Sequence, residues 1–438
     1  MPAFHKILLY VTILCTFILL GKSLFYTYEY GGTDLRGRII GARLIHTNYS
    51  PYFYKWDPED GDYLLDPNTP TAIIANSNTV TPAVLYTIYP LATLPYKTIR
   101  LVWTLLQFCL LFLCFYLLSK SSDRNKPLFL SPVLITMLFI ICSDLWLYYI
   151  ERGQLYMLYV LFFSLMYWAY HKKWKYNHFV SGFIGGFFIL YRPLAAVIGI
   201  GFLIQKKYNW ILGSVTGFIV GCLLFVIPNP GYWKQYATAM KEYSYFISGH
   251  ITSVSDYQRK ELPARIEGTD NLTEYKNFTS GGMNTLHDYL DRVGINININ
   301  QSILFYFLLI LGLSLFSIKK KKIATSTDSI FLFGFLLYFL SEIFIVAPRA
   351  GYSVIQWVFP LFIAWKYILA DRVLLFLYLA GILLYHQFPF LFPYQKDLAE
   401  FIFMLTIFFI IFPAVLEKLK SKINIHKTAA ADTIEMKT

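Results

Sequence analysis

Apolar residues fall in long blocks along this chain, without the alternation of a half-buried strand. Ten blocks approach the roughly 20 residues that a helix needs to cross the hydrocarbon of a bilayer. They lie near positions 7–25, 98–118, 128–148, 155–170, 210–227, 302–317, 330–346, 354–369, 373–391 and 401–416. Polar residues gather in two long stretches, 27–80 and 229–300, which carry aromatics, proline and scattered charge and so do not read as linkers. A basic tail, 417–438, closes the chain. The run 7–20 resembles the core of a signal peptide, but no small-residue cleavage site follows it, so it reads as a retained first helix.

Between 179 and 205 the pattern is ambiguous, because Tyr191-Arg192-Pro193 interrupts an otherwise apolar run. Charge resolves it, since short cytoplasmic loops collect Lys and Arg. Lys120/Arg124/Lys126, Lys172/Lys173/Lys175, Lys206/Lys207, Lys319 to Lys322 and the tail lysines form one such set. Placed inside, that side holds 20 Lys+Arg against 6 Asp+Glu, and the outer side 18 against 20. A single kinked helix over 179–205 would flip every later loop. Two half-helices of about 12 residues, each reaching about 18 Å, keep the asymmetry and place Arg192 at membrane depth. The expected fold is an all-α polytopic integral membrane protein, one transmembrane domain over 1–438. It has about twelve membrane segments, two of them half-helices, with both termini inside and two long outer-face loops.

Composition changes the picture less than it confirms it. Of 438 residues, 56% are hydrophobic and 15% charged, against roughly 25% charged in soluble domains. Disorder, coiled coil and a soluble enzyme are excluded. The net charge of +12 would suggest nucleic acid in a soluble protein; here it reports orientation, and the expected partners are the lipid bilayer and membrane-borne substrates, not nucleic acid. Cys15, Cys109, Cys114, Cys142 and Cys222 all sit in apolar runs and read as small buried hydrophobes. Sequons at Asn48, Asn271, Asn277 and Asn300 fall on the outer side of this topology.

Candidate chemistry clusters on the outer side. Asp34 follows the first helix and opens a short amphipathic segment, Leu35, Ile39, Ala42 and Ile45, expected to lie along the outer membrane surface. A carboxylate there can take a proton from a hydroxyl as a general base. The plainer alternative makes Thr33 or Asp34 a helix cap and Asp34–Arg38 an i,i+4 ion pair. An arginine at membrane depth points to function by default, and the guanidinium of Arg192 suits phosphate; the alternative is internal pairing with Glu342. Arg152, with Glu151, Gln154 and Asp144 nearby, and Arg349, close to Tyr352, sit in short outer loops that normally avoid arginine. A shared anionic ligand would explain them, and so would headgroup contact with pairing to Glu151 or Glu342. His287 lies in the second polar stretch as a candidate base or sugar ligand, or as a solvated histidine. No HxxxH, CxxC, Walker or GxGxxG pattern occurs, so no metal or cofactor is expected.

At these residues the sequence resembles glycosyltransferase family 87 of the GT-C superfamily. Its motifs match Asp34-Leu35-Arg36, Ala42-Arg43-Leu44 and Ser50-Pro51-Tyr52, the stretch from Thr81-Pro82 to Leu94-Pro95, Gly153-Gln154, and Tyr191-Arg192-Pro193. Arginine stands where the family's KP step has lysine, and Pro348-Arg349-Ala350-Gly351-Tyr352 replaces a late Trp-His or His-His. The resemblance implies inverting transfer of one sugar, mannose-like, from a polyprenyl-phosphate carrier to a glycan or glycolipid acceptor. The site would face outward from a bacterial-type cytoplasmic membrane. Asp34 would be the base, and Arg192 with Arg349 or Arg152 would hold the departing lipid phosphate. Arg36, Arg38, Gln154, Tyr352 and His287 complete the expected substrate-binding set. The rival reading is a transporter or flippase for a lipid-linked sugar, which also favours broken helices and intramembrane arginine. It lacks an internal repeat and would leave the long outer stretches unused.

Overall fold

The computed structural model describes residues 3–29, 32–54, 58–60, 62–64, 78–121, 130–247, 290, 294–295, 299–320, 326–344, 351–386 and 395–421. Every regular element among them is helical, as a bilayer requires of a chain that must satisfy its own backbone within each segment. The helices are α1 Ala3–Glu29, α2 Thr33–His46, α3 Pro82–Ala92, α4 Tyr96–Ser121, α5 Leu130–Ile141, α6 Asp144–Arg152, α7 Tyr156–His171 and α8 Asn177–Tyr191. There follow α9 Ile198–Ile204, α10 Tyr208–Phe225, α11 Pro230–Ile247, α12 Ile299–Lys320, α13 Thr327–Phe344, α14 Val358–Ile368, α15 Arg372–Tyr385, α16 Gln395–Ile411 and α17 Pro413–Ser421. Five of the described helices are long and apolar enough to cross a membrane, or six if the bent pair α16–α17 is one span.

Several apolar blocks are cut by local chemistry. The block 128–148 is two helices, because the Ser143 side chain accepts the Trp146 N–H at 3.1 Å and starts α6 afresh. The block 354–369 begins as a 3-10 turn, Gly351–Trp357, and continues as α14. After α16 the chain bends by 100° into α17, where Pro413 cannot continue the hydrogen-bond ladder. Helix α11 lies within the second polar stretch.

The ambiguous segment folds as two short pieces. Helix α8 ends at Arg192, which is extended at φ −143° and ψ 95°, and Pro193–Val197 forms a 3-10 turn leading into α9. The path then returns. Phe202, near the end of α9, stacks on Trp210 at 3.9 Å, and the Trp210 indole donates to Ser181 near the start of α8. Helix α10 therefore runs parallel to α8, from Trp210 beside Ser181 to Phe225 beside Tyr191. Glycine permits the approach: a methyl group at Gly182 or Gly186 would collide with the carbonyls of Trp210 or Ser214, and one at Gly213 or Gly217 with those of Phe179 or Phe183. Small residues four apart are the usual means by which membrane helices bring their backbones together.

These contacts sort the bundle into two ends. At one end Lys366 pairs with buried Asp328, which accepts the Tyr167 hydroxyl at 2.6 Å. Lys172 to Lys175 and Lys206/Lys207 share that end, since Tyr170 stacks on His178 at 4.1 Å and lies 5.9 Å from Phe202. The opposite end gathers the starts of α2, α4 and α7 with the ends of α6, α8 and α13, and it holds the candidate residues.

Candidate active site

Helix α2 delivers Asp34. Gly32 precedes it in the left-handed conformation at φ 73°, with its N–H donating to the Glu151 carbonyl at 2.6 Å and its own carbonyl accepting the Tyr96 hydroxyl at 2.6 Å. A side chain at Gly153, φ 68°, would strike Leu35. The start of α2 is thus pinned to the end of α6, and Asp34 faces Arg152. This helix is not the surface-lying segment its pattern suggests. Ile40 and Leu44 pack with Leu64 on one side, while Leu35, Ile39 and Ala42 join the main core. Its polar positions are consumed inside. Arg38 donates to the Gly153 carbonyl at 2.7 Å and to Gln154 Oε1 at 2.6 Å, and Arg43 donates to the carbonyls of Ala92 and Tyr63 at 2.9 and 2.8 Å.

Asp34 therefore does not pair with Arg38. Arg152 Nε and Nη2 reach its two carboxylate oxygens at 3.0 and 2.7 Å, a forked pair. Gln154 also donates to Oδ2, and the Tyr352 hydroxyl does so at 3.3 Å. Gln154 and Tyr352 are bonded to each other at 2.8 Å and are both buried, whereas Asp34 and Arg152 keep 22% and 21% of their side chains exposed. Burial alone would lower the Arg152 guanidinium, but the charge and hydrogen bonds of Asp34 outweigh it and raise it above its ordinary value. Burial first, and then the Asp34 charge, push the Tyr352 phenol up, so it stays a neutral donor.

A second forked cluster surrounds Arg192. Its Nη2 and Nε reach one oxygen of Glu342 at 2.7 and 3.2 Å. The same oxygen accepts the Tyr338 hydroxyl at 2.8 Å, and the other accepts Gln356 at 3.0 Å. Glu342 is 1% exposed; Arg192 keeps 29%. The internal partner considered for Arg192 is thus present, and the arginine side chain remains partly exposed.

Four tyrosines join the two arginines. From the Arg152 guanidinium the row runs to Tyr148 at 5.9 Å, Tyr352 at a further 5.4 Å, Tyr156 at 5.9 Å and Tyr159 at 5.5 Å. Arg192 sits 5.6 Å from the last ring. The row carries ring faces and hydroxyls from one arginine to the other; Tyr148 and Tyr156 are half-buried, Tyr352 and Tyr159 buried.

Of the expected residues, Asp34, Arg38, Arg152, Gln154 and Tyr352 form one network, and Arg192 stands at the far end of the tyrosine row. Arg36 is half-buried on the same first turn as Asp34. His287 and Arg349 lie outside the described residues. Asp144 is turned away to Lys396. Tyr148, Tyr156, Tyr159, Tyr338 and Gln356 escape the sequence reading; the i,i+3 spacing of Tyr156 with Tyr159 and the i,i+4 spacing of Tyr338 with Glu342 were the legible signals. A DxD spacing, Asp60-Gly61-Asp62, lies beyond α2; there the two Asp60 oxygens accept the hydroxyls of Tyr49 and Tyr54 at 3.0 and 2.5 Å.

The sequence model of Glycosyltransferase family 87 matches residues 79–274. The matched segment runs from α3 through α11 and includes Arg152, Gln154, Arg192 and three of the four linking tyrosines. It is the family that the motifs resemble, and it is consistent with a glycosyltransferase assignment in a multi-pass helical membrane protein. No curated protein matches the chain.

Proposed function

We propose that this glycosyltransferase moves one sugar, mannose-like, from a polyprenyl-phosphate carrier to a hydroxyl of a glycan or glycolipid acceptor on the outer face of a cytoplasmic-type membrane, with inversion. The observation that carries this reading is the row of four tyrosines ending in two arginines, one of which holds a partly exposed carboxylate. Asp34 takes the acceptor proton as its oxygen attacks C1 of the sugar. The C1–O bond to phosphate breaks, and its electron pair leaves on the polyprenyl phosphate. Negative charge grows there, where the Arg152 guanidinium stabilises it, with Arg192 adding positive charge from the far end of the tyrosine row. The outward orientation follows from the Lys-rich opposite end under the positive-inside rule.

Incubating the purified protein with a radiolabelled polyprenyl-phosphate sugar and a glycan or lipid acceptor tests the assignment. Sugar bonded to the acceptor is expected, falling about 10²- to 10⁴-fold in Asp34→Asn, the usual contribution of a general base. Full transfer by a folded Asp34→Asn would remove Asp34 as the base. Movement of the carrier across liposomes without covalent transfer would make the protein a flippase.

A further inference from the structure

The Asp34 carboxylate, the proposed base, is held by a cation that could itself receive phosphate. Two oxygens take both arms of Arg152, and Oδ2 also takes Gln154 and Tyr352. Three features make this pair exchangeable. Each partner is about one-fifth exposed, so parting them strands no charge in a dry core. The remaining donors do not depend on Arg152: Arg38 clamps Gln154 Oε1 and the Gly153 carbonyl, and the Gln154 amide reaches Tyr352. Asp34 therefore keeps its place when the guanidinium leaves. Lastly, Arg152 is the final residue of α6 before a left-handed glycine, with the Tyr148 ring alongside as a surface to turn against.

We propose that Arg152 is a latch shared between Asp34 and the phosphate of the lipid-linked donor, so that Asp34 becomes competent as a base only after that phosphate has drawn Arg152 away. This rests on Asp34 being the base. Guanidinium–carboxylate contacts break as guanidinium–phosphate contacts form. The freed carboxylate then takes the acceptor proton, and the departing polyprenyl phosphate keeps Arg152. Donor binding thus precedes acceptor activation, and an enzyme without donor holds its base neutralised.

The test is equilibrium binding of a polyprenyl monophosphate to the full chain in detergent, for wild type, Asp34→Asn, Arg152→Gln and the double variant. With the carboxylate charge gone, Asp34→Asn binds about fivefold tighter, the share that a partly exposed ion pair withholds. Arg152→Gln binds about tenfold weaker, and adding Asp34→Asn to it changes nothing. Asp34→Ala, which frees Arg152 by another route, shows the same tightening and stands in if Asp34→Asn does not fold. No tightening in either folded variant overturns the latch. Equal tightening with inorganic phosphate overturns the assignment to a lipid-borne phosphate. Transfer assayed on the same samples separates the two ideas. Tighter binding with full transfer discards the base and leaves Arg152 merely shared between carboxylate and phosphate; unchanged binding with lost transfer keeps the base and overturns the latch.

Discussion

The molecule holds two arginine–carboxylate pairs at one end of its bundle, and they differ in which partner is buried. At Arg152–Asp34 both side chains keep about a fifth of their surface. At Arg192–Glu342 the carboxylate is sealed in and served by Tyr338 and Gln356, while the arginine side chain keeps over a quarter of its surface. Removing one member of a buried pair strands the other's charge, whereas a partly solvated pair can be dissolved into water or a competing anion. The first pair is built for exchange, and the second holds a cation steady beside the tyrosine row.

That contrast is open to breakage by thermal unfolding in detergent. Arg192→Ala should cost about 3–5 kcal/mol, because the sealed Glu342 carboxylate is left uncompensated; a loss under 1 kcal/mol would show that the carboxylate is not buried as described. Tyr338→Phe removes one hydrogen bond to the same carboxylate and should cost about 1.5–3 kcal/mol. Asp34→Ala should lower stability by only about 1 kcal/mol, since Gln154 and Tyr352 retain each other; a cost matching Arg192→Ala would erase the distinction. Asp144→Ala, which breaks an ion pair with a carboxylate 66% exposed, should lie below about 0.5 kcal/mol and sets the floor.

Much of this was legible in the chain. Block lengths gave most helices, and the charge ledger gave the return at Tyr191-Arg192-Pro193, because both express the cost of polar groups in hydrocarbon. The partner of Asp34 was not legible, for it lies 118 residues away in sequence. Helix α2 misled for a related reason. Arg38 and Arg43 look like a wet face, but loop carbonyls of Gly153, Ala92 and Tyr63 satisfy them inside. Hydropathy also missed the cut at Ser143, since a capping serine hardly alters the mean of an apolar window. The glycines of α8 and α10 give no signal in a hydropathy pattern, since their use is the absence of a side chain.

Those glycines decide how the site meets membranes of different thickness. Helix α8, at 15 residues, spans about 22 Å, too short to find its own level in roughly 30 Å of hydrocarbon. It is splinted instead, backbone to backbone, to α10, which is long enough to span. The depth of Arg192 is accordingly referenced to a neighbouring strut and not to the lipid. A thinner or thicker bilayer would tilt α8 and α10 as one piece, carrying the arginine with them and leaving its distance to the tyrosine row to the protein alone.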